Sequence, residues 1–187
     1  VANNLNDLGK VRPELLIRTA GNWLAQASPE RRALVEHALR SAVKRGDTDA
    51  LALLGYGQAP HVSVEAVAFT PRRVRIGGRV AMTFGLKSTS RRQQQLLVDV
   101  AVHFVKARGV GAPKVFKMGR ITLAPRERID LKTTFSLAVH TTRVPRPGRH
   151  VVDLIVNGHA IGAGSFNVSP AHANGCSVVF RNGVRGE

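Results

Sequence analysis

The residues whose types could do chemistry are mostly cations, and they gather in what read as connections. Lys87, Arg91 and Arg92 follow one apolar run. Lys106, Arg108, Lys114 and Lys117 surround Gly109-Val110-Gly111, and Arg143, Arg146 and Arg149 surround Val144-Pro145-Arg146-Pro147-Gly148. Phosphate oxygens are met by cations on mobile stems, and glycines let a backbone approach a duplex, so these loops read as a sequence-independent grip on DNA. One such loop would be ordinary surface solvation. Three of them belong to a chain with 28 Lys+Arg against 12 Asp+Glu, a formal +16 that exceeds what solubility requires. The charge is also lopsided: residues 1–57 hold 8 Lys+Arg and 6 Asp+Glu, residues 58–187 hold 20 and 6. Aromatic residues make up only 5% and fall mostly on inward rows, which favours a duplex over a stacking platform for single strands.

Few residues fit catalysis. Nucleophile elbow, paired-carboxylate motif and Gly-rich phosphate loop are all missing, so a free-standing hydrolase is disfavoured. The seven histidines show no metal-ligand spacing and Cys176 stands alone, so no metal and no cofactor is expected, nor an internal disulfide. On the first helix, Asn3, Asn4 and Asp7 make a polar stripe beside Val1, Leu5 and Leu8. Such a stripe either faces a ligand or knits turns together by hydrogen bonds. Trp23 on an apolar helical face reads as core. His37 reads as an interface residue, with Arg40 beside it the better phosphate candidate.

Two kinds of element must position these groups. Up to about Gly57 the apolar spacing is helical, with Pro13 in the first turn of a second helix. Ser28-Pro29-Glu30 starts a third helix that stops at Gly46, and Asp47 caps a short fourth that ends at Gly55. Helices this short need stacked neighbours, as in a HEAT-like repeat. After Pro60 the period becomes two: Val80 to Leu86, Leu96 to Phe104, Ile129 to Leu137 and Val152 to Val156 each form an inward row. Val62 to Phe69 is a first strand with a bulge near Ala66, Val115 to Ile121 a weaker one, and Asn157-Gly158 a two-residue turn joining the last two strands. About seven strands over ~110 residues match an Ig-like antiparallel sandwich.

The fold class is therefore α+β in separate domains: truncated helical repeats at 1–57, a sandwich at 58–170, and a tail at 171–187 that reads as disordered apart from a brief edge strand at Ser177 to Phe180. The chain starts at Val1, inside a helix, and reads as a piece of a longer protein. It shows neither a signal peptide nor an apolar run of about 18 residues, so a bacterial cytoplasmic or nucleoid location without membrane contact is expected.

Three runs carry a resemblance: Val1-Ala2-Asn3-Asn4-Leu5-Asn6-Asp7-Leu8, Glu36-His37-Ala38-Leu39-Arg40, and Gly46-Asp47-Thr48-Asp49-Ala50-Leu51-Ala52-Leu53-Leu54-Gly55-Tyr56. They resemble the AlkC-like branch of DNA alkylation repair glycosylases, some of which carry an Ig-like domain after their repeats. The resemblance implies a HEAT-like solenoid holding alkylated double-stranded DNA, hydrolytic excision of cationic bases of the 3-methyladenine type in base excision repair, and no metal. It further implies that most lesion-facing residues lie before this segment, so that this stretch alone is inactive. Chemistry still singles out Asp7 as the catalytic candidate, since losing a cationic base leaves an oxocarbenium-like sugar that a nearby carboxylate would stabilise, with Asn3, Asn4 and Arg40 as candidates for contacting DNA. Glu36 departs from the arginine that the resemblance leads one to expect. A monomer is expected. The alternative is an Ig-like protein-interaction module whose charge meets an acidic partner protein.

Overall fold

Side-chain caps set where the helices begin. α1 (Ala2–Val11) and α2 (Pro13–Leu24) meet at Arg12, with Pro13 in the first turn of α2, where its missing N–H costs nothing. Ser28 accepts the Arg31 N–H at 3.3 Å to start α3 (Pro29–Lys44), and Asp47 accepts the Ala50 N–H at 2.9 Å to start α4 (Thr48–Leu53). Gly46 ends α3 with a φ of 77°, a conformation that glycine adopts without strain. The computed structural model describes residues 1–106, 109–110, 112–139 and 144–171. Arg108, Arg143 and residues 172–187, with the edge strand expected at Ser177 to Phe180, lie outside the described residues.

The inward face of α1 differs from the one read in the sequence. Val1 and Val11 are each 77% exposed and Leu8 is 37% exposed, while Asn6 and Gly9 are buried. Gly9 lies so close to Leu16 on α2 that a Cβ would collide with it, and the Asn6 amide oxygen accepts the Ser41 N–H of α3 at 3.2 Å. Close approach of two helices therefore selected a glycine and an amide, and the helix is rotated away from its most apolar stripe. Leu16, Ala20, Val35, Ala38, Leu39, Ala42 and Ala50 form a small helical core, with Trp23 packed at its edge as expected.

A second core holds the strands. β1 (Val62–Thr70), β3 (Arg79–Ser88) and β8 (Arg128–Ser136) form a three-stranded antiparallel sheet. A five-stranded sheet runs in the order β2 (Arg73–Arg75), β10 (His159–Ser169), β9 (Gly148–Val156), β4 (Gln94–His103), β7 (Lys114–Leu123). β5 (Val105–Lys106) and β6 (Gly109–Val110) make a separate ribbon. Alternation buries Val80, Met82, Phe84 and Leu86 against Val98, Val100, Phe135, Leu154 and Phe166 between the sheets. Ala66 has a φ of 51° and the β1–β3 register shifts between Glu65 and Ala68, which is the bulge its sequence predicted. Asn157 and Gly158, with φ of 49° and 81°, make the expected two-residue turn between β9 and β10.

That turn also forms the joint between the two cores. Asn157 is buried, its Oδ1 accepting the Leu97 N–H at 2.8 Å and its Nδ2 donating to the Gln58 carbonyl at 3.2 Å. A Cβ on Gly158 would stand 2.5 Å from Leu51 of α4.

Candidate nucleic-acid interface

The topology separates the basic residues into two groups. Lys87, Arg91 and Arg92 lie at the end of β3 and the start of the β3–β4 connection, near the joint: Arg92 shares a groove with Gly55, Gln58 and Asn157. Lys106, Lys114, Arg146 and Arg149 lie at the opposite end of the sandwich, where β4 and β10 finish and β7 and β9 begin. The three loops grouped together in the sequence are thus not one surface. Lys114 reaches over Phe116, 5.0 Å from the ring centroid. Lys117 stands opposite Asp99 part-way along β4 and the edge strand β7, away from the loops.

Two basic segments at that far end are tied together by a histidine that sequence reasoning passed over. His150 is fully buried, stacked near-parallel on Phe166 with ring centroids 5.4 Å apart and edge-on to Phe104. Its Nδ1 accepts the Val105 N–H at 3.4 Å, so Nε2 carries the proton and donates to the Arg146 carbonyl at 3.0 Å. One neutral imidazole therefore fixes the backbone beside Lys106 to the backbone at Arg146. Arg149, next in the chain, lies on the outer face, where its Nε donates to Ser165 Oγ at 2.9 Å.

Missed as well were Arg72, Arg73, Arg75 and Arg79, all exposed at this same end. The signal was present in their density, Arg72-Arg73-Val74-Arg75, but nothing local showed which other residues they join. By contrast, Arg128 on the outer face of the three-stranded sheet is neutralised by Asp130 at 2.7 Å and Glu65 at 3.6 Å.

Toward the helices the picture changes. α3 lies over the β4–β7 side of the five-stranded sheet, enclosing a cleft of about 420 Å³ lined by His37, Arg40, Asp99 and Lys117 among others. Glu36 binds Arg120 across it at 2.6 Å, which gives a structural role to the residue that departs from the expected arginine. Arg40 donates to the His37 carbonyl at 2.9 Å and is half-buried rather than free on the surface. Asp99 is buried; burial pushes its carboxyl above the usual range, against the pull of Lys117, and its Oδ1 has no hydrogen-bond partner among the described residues.

On α1, Asn3, Asn4 and Asp7 are exposed, and it is Asn6 whose amide ties α1 to α3. Lys10 meets Asp7 at 2.7 Å, and this hydrogen bond holds the Asp7 carboxyl below the usual carboxylate range, hence ionised. No helix among the described residues is long and apolar enough to cross a membrane.

A two-sheet sandwich, antiparallel as expected except where the short β2 pairs in parallel with β10, with a small helical unit packed on one outer face, defines a protein carrying an Ig-like domain. The chain belongs to the family described as "Uncharacterised protein YhaZ, C-terminal Ig-like domain", which matches residues 63–170. It is 34% identical over 168 residues to the protein YhaZ of Bacillus subtilis (strain 168), covering 90% of this chain and 46% of that protein. It is also similar to the solved structure of the Pseudomonas fluorescens alkylpurine DNA glycosylase AlkC bound to DNA containing an abasic site analog. That match has 36% identity and a TM-score of 0.84, and covers 90% of this chain and 46% of that one. The chain spans less than half the length of both.

Proposed function

We propose that this chain is the duplex-holding C-terminal part of a DNA glycosylase that excises alkylated, cationic bases of the 3-methyladenine type in base excision repair. The observation that carries the reading is that the likeness to the DNA-bound AlkC extends over 90% of the chain at a TM-score of 0.84, more than the sandwich alone could account for. In this reading residues 1–57 are the end of a HEAT-like repeat array and 58–170 an Ig-like module adding cationic surface. The protein works as a monomer in the bacterial cytoplasm or nucleoid without a cofactor. The same likeness weighs against an Ig-like module for an acidic protein partner.

Asp7 has the chemistry for its assigned role. A carboxylate on an exposed helix face lowers the energy of a cationic sugar nearby, and the hydrogen bond from Lys10 holds the Asp7 carboxyl in place without burying it. Asn3, Asn4 and Arg40 would flank the backbone on the same side, and Arg146 and Arg149 grip it from the sandwich.

Fluorescence anisotropy of the chain with duplexes of unrelated sequence tests the grip. Arg146→Ala with Arg149→Ala should weaken binding about equally for every sequence. Unchanged affinity would remove that segment from the footprint. For Asp7, a duplex with a cationic abasic-site analogue should bind more tightly than one with a neutral analogue, and Asp7→Asn should abolish the difference. A difference that persists would take Asp7 out of the lesion site.

A further inference from the structure

β2 is only three residues long, yet it is held along one side and again just past its end. It pairs in parallel with the last residues of β10, Asn167 opposite Arg73, Val168 opposite Val74 and Ser169 opposite Arg75. The Asn167 N–H donates to the Arg72 carbonyl and the Ile76 N–H to the Ser169 carbonyl, each at 3.0 Å. Just beyond β2 the Gly77 N–H donates to the Leu137 carbonyl and the Leu137 N–H to the Gly78 carbonyl, each at 2.9 Å. The segment is thus a rigid mount, and its one buried side chain, Val74, decides that Arg73 and Arg75 point outward.

The next strand extends the row. Asn167 is also the partner of Arg149 on β9. Arg73, Asn167 and Arg149 therefore stand side by side across three strands on one face, with Arg75 two residues further along. Neighbouring strands are ~4.8 Å apart, so the two flanking arginines are about 10 Å apart at the backbone, and Arg75 is about 7 Å along β2 from Arg73. All four residues are exposed, and none is in an ion pair among the described residues. Ser165 holds Arg149 by its Nε alone, leaving both terminal nitrogens of the fork without a partner among the described residues. This is the same sheet face on which the helical unit lies, but on its open, β2-edge side.

We infer that Arg73, Arg75, Asn167 and Arg149 form a phosphate-binding row on the outer face of the five-stranded sheet, its partner the backbone of duplex DNA. The inference rests on the proposed function and adds residues to its footprint that lie some seventy-five positions from Arg149 in the chain. Guanidinium forks bind phosphate in pairs of parallel hydrogen bonds, and an amide between them donates without adding charge. B-DNA presents one charge per about 1.7 Å of its axis, so a row of this width meets several phosphates in any register and reads no sequence. Aspartates on the same face do not oppose it: Asp153 is engaged by His103 at 2.7 Å, and Asp99 is buried under α3.

The test is the salt dependence of duplex affinity for the chain, comparing Arg73→Gln with Arg75→Gln against a control that removes two other cations in no ion pair among the described residues, Arg126→Gln with Lys132→Gln. The row predicts that the first pair lowers the slope of log affinity against log salt by about 1.8, two phosphates' worth, and weakens low-salt binding at least tenfold, while the control changes the slope by less than ~0.5. Asn167→Asp should weaken binding more than Asn167→Ala, a sign that a merely structural residue would not give. Equal effects of the two pairs would mean that only net charge matters and would overturn the row. Normal wild-type binding with an unchanged slope for the first pair would also overturn the row while leaving the proposed function standing. Failure of the wild-type chain to bind duplex at low salt would overturn both.

Discussion

The joint and the far end of the sandwich handle charge in opposite ways. At the joint, Glu36 meets Arg120, Asp99 lies opposite Lys117, and Asn157 exchanges hydrogen bonds with Leu97 and Gln58. At the far end, Arg73, Arg75, Arg146 and Arg149 are in no ion pair among the described residues, although they are held in place by backbone pairing, by Ser165 and by His150. Cations matched inside a protein contribute to its shape. Cations fixed in position but left unmatched keep their field for something outside it. The difference predicts that substitutions of these matched joint groups change stability and leave the salt slope alone, while substitutions of the far-end arginines do the reverse.

The largest effect should come from Gly158→Val. A β-branched residue at φ of 81° and a Cβ driven against Leu51 should together cost about 3 kcal/mol in chemical denaturation, with the salt slope of the remaining folded protein unchanged. His150→Phe preserves the stack on Phe166 but loses both hydrogen bonds, so the cost should be smaller, about 1–2 kcal/mol. Because it frees the Arg146 segment, it should weaken duplex binding in the wild-type background and have no further effect once Arg146 and Arg149 are alanine. Additive losses would separate His150 from the grip.

Asp99 sharpens the contrast through pH. Its folded carboxyl is raised above 3.8 by burial, so the folded state binds the proton more tightly than the unfolded state. Stability from this group is highest below 3.8 and declines as pH rises through the raised value. Asp99→Asn should therefore be more stable than wild type at neutral pH, and the advantage should vanish in acid; thermal melts across pH would show it. The smallest effect belongs to Arg120→Gln. The pair with Glu36 is partly exposed, with Arg120 at 56%, and its loss should cost no more than about 0.5 kcal/mol.

Local chemistry in this chain was legible, and long-range pairing was not. Ser28 and Asp47 announced α3 and α4 because a cap acts over three residues, and alternation announced β3, β4 and β8 because each strand buries a full row. Asn157-Gly158 read correctly as a turn, but its burial against Leu51 and Gln58 depends on residues about a hundred positions away. β2 was unreadable: one inward valine among arginines has no period, and its parallel partner begins more than eighty residues later. Asn6 was hidden for a different reason. Its amide satisfies a helix backbone at a close crossing, and a pattern of apolar residues cannot indicate such a contact.

The central claim, that the unmatched cations of the far end hold the backbone of duplex DNA, is tested most directly by titrating the chain into a 20–30 base-pair duplex at several salt concentrations. If about five phosphates are neutralised, log affinity should fall with log salt with a slope near 4.5, whatever the sequence. A flat response, or no binding at low salt, would contradict it.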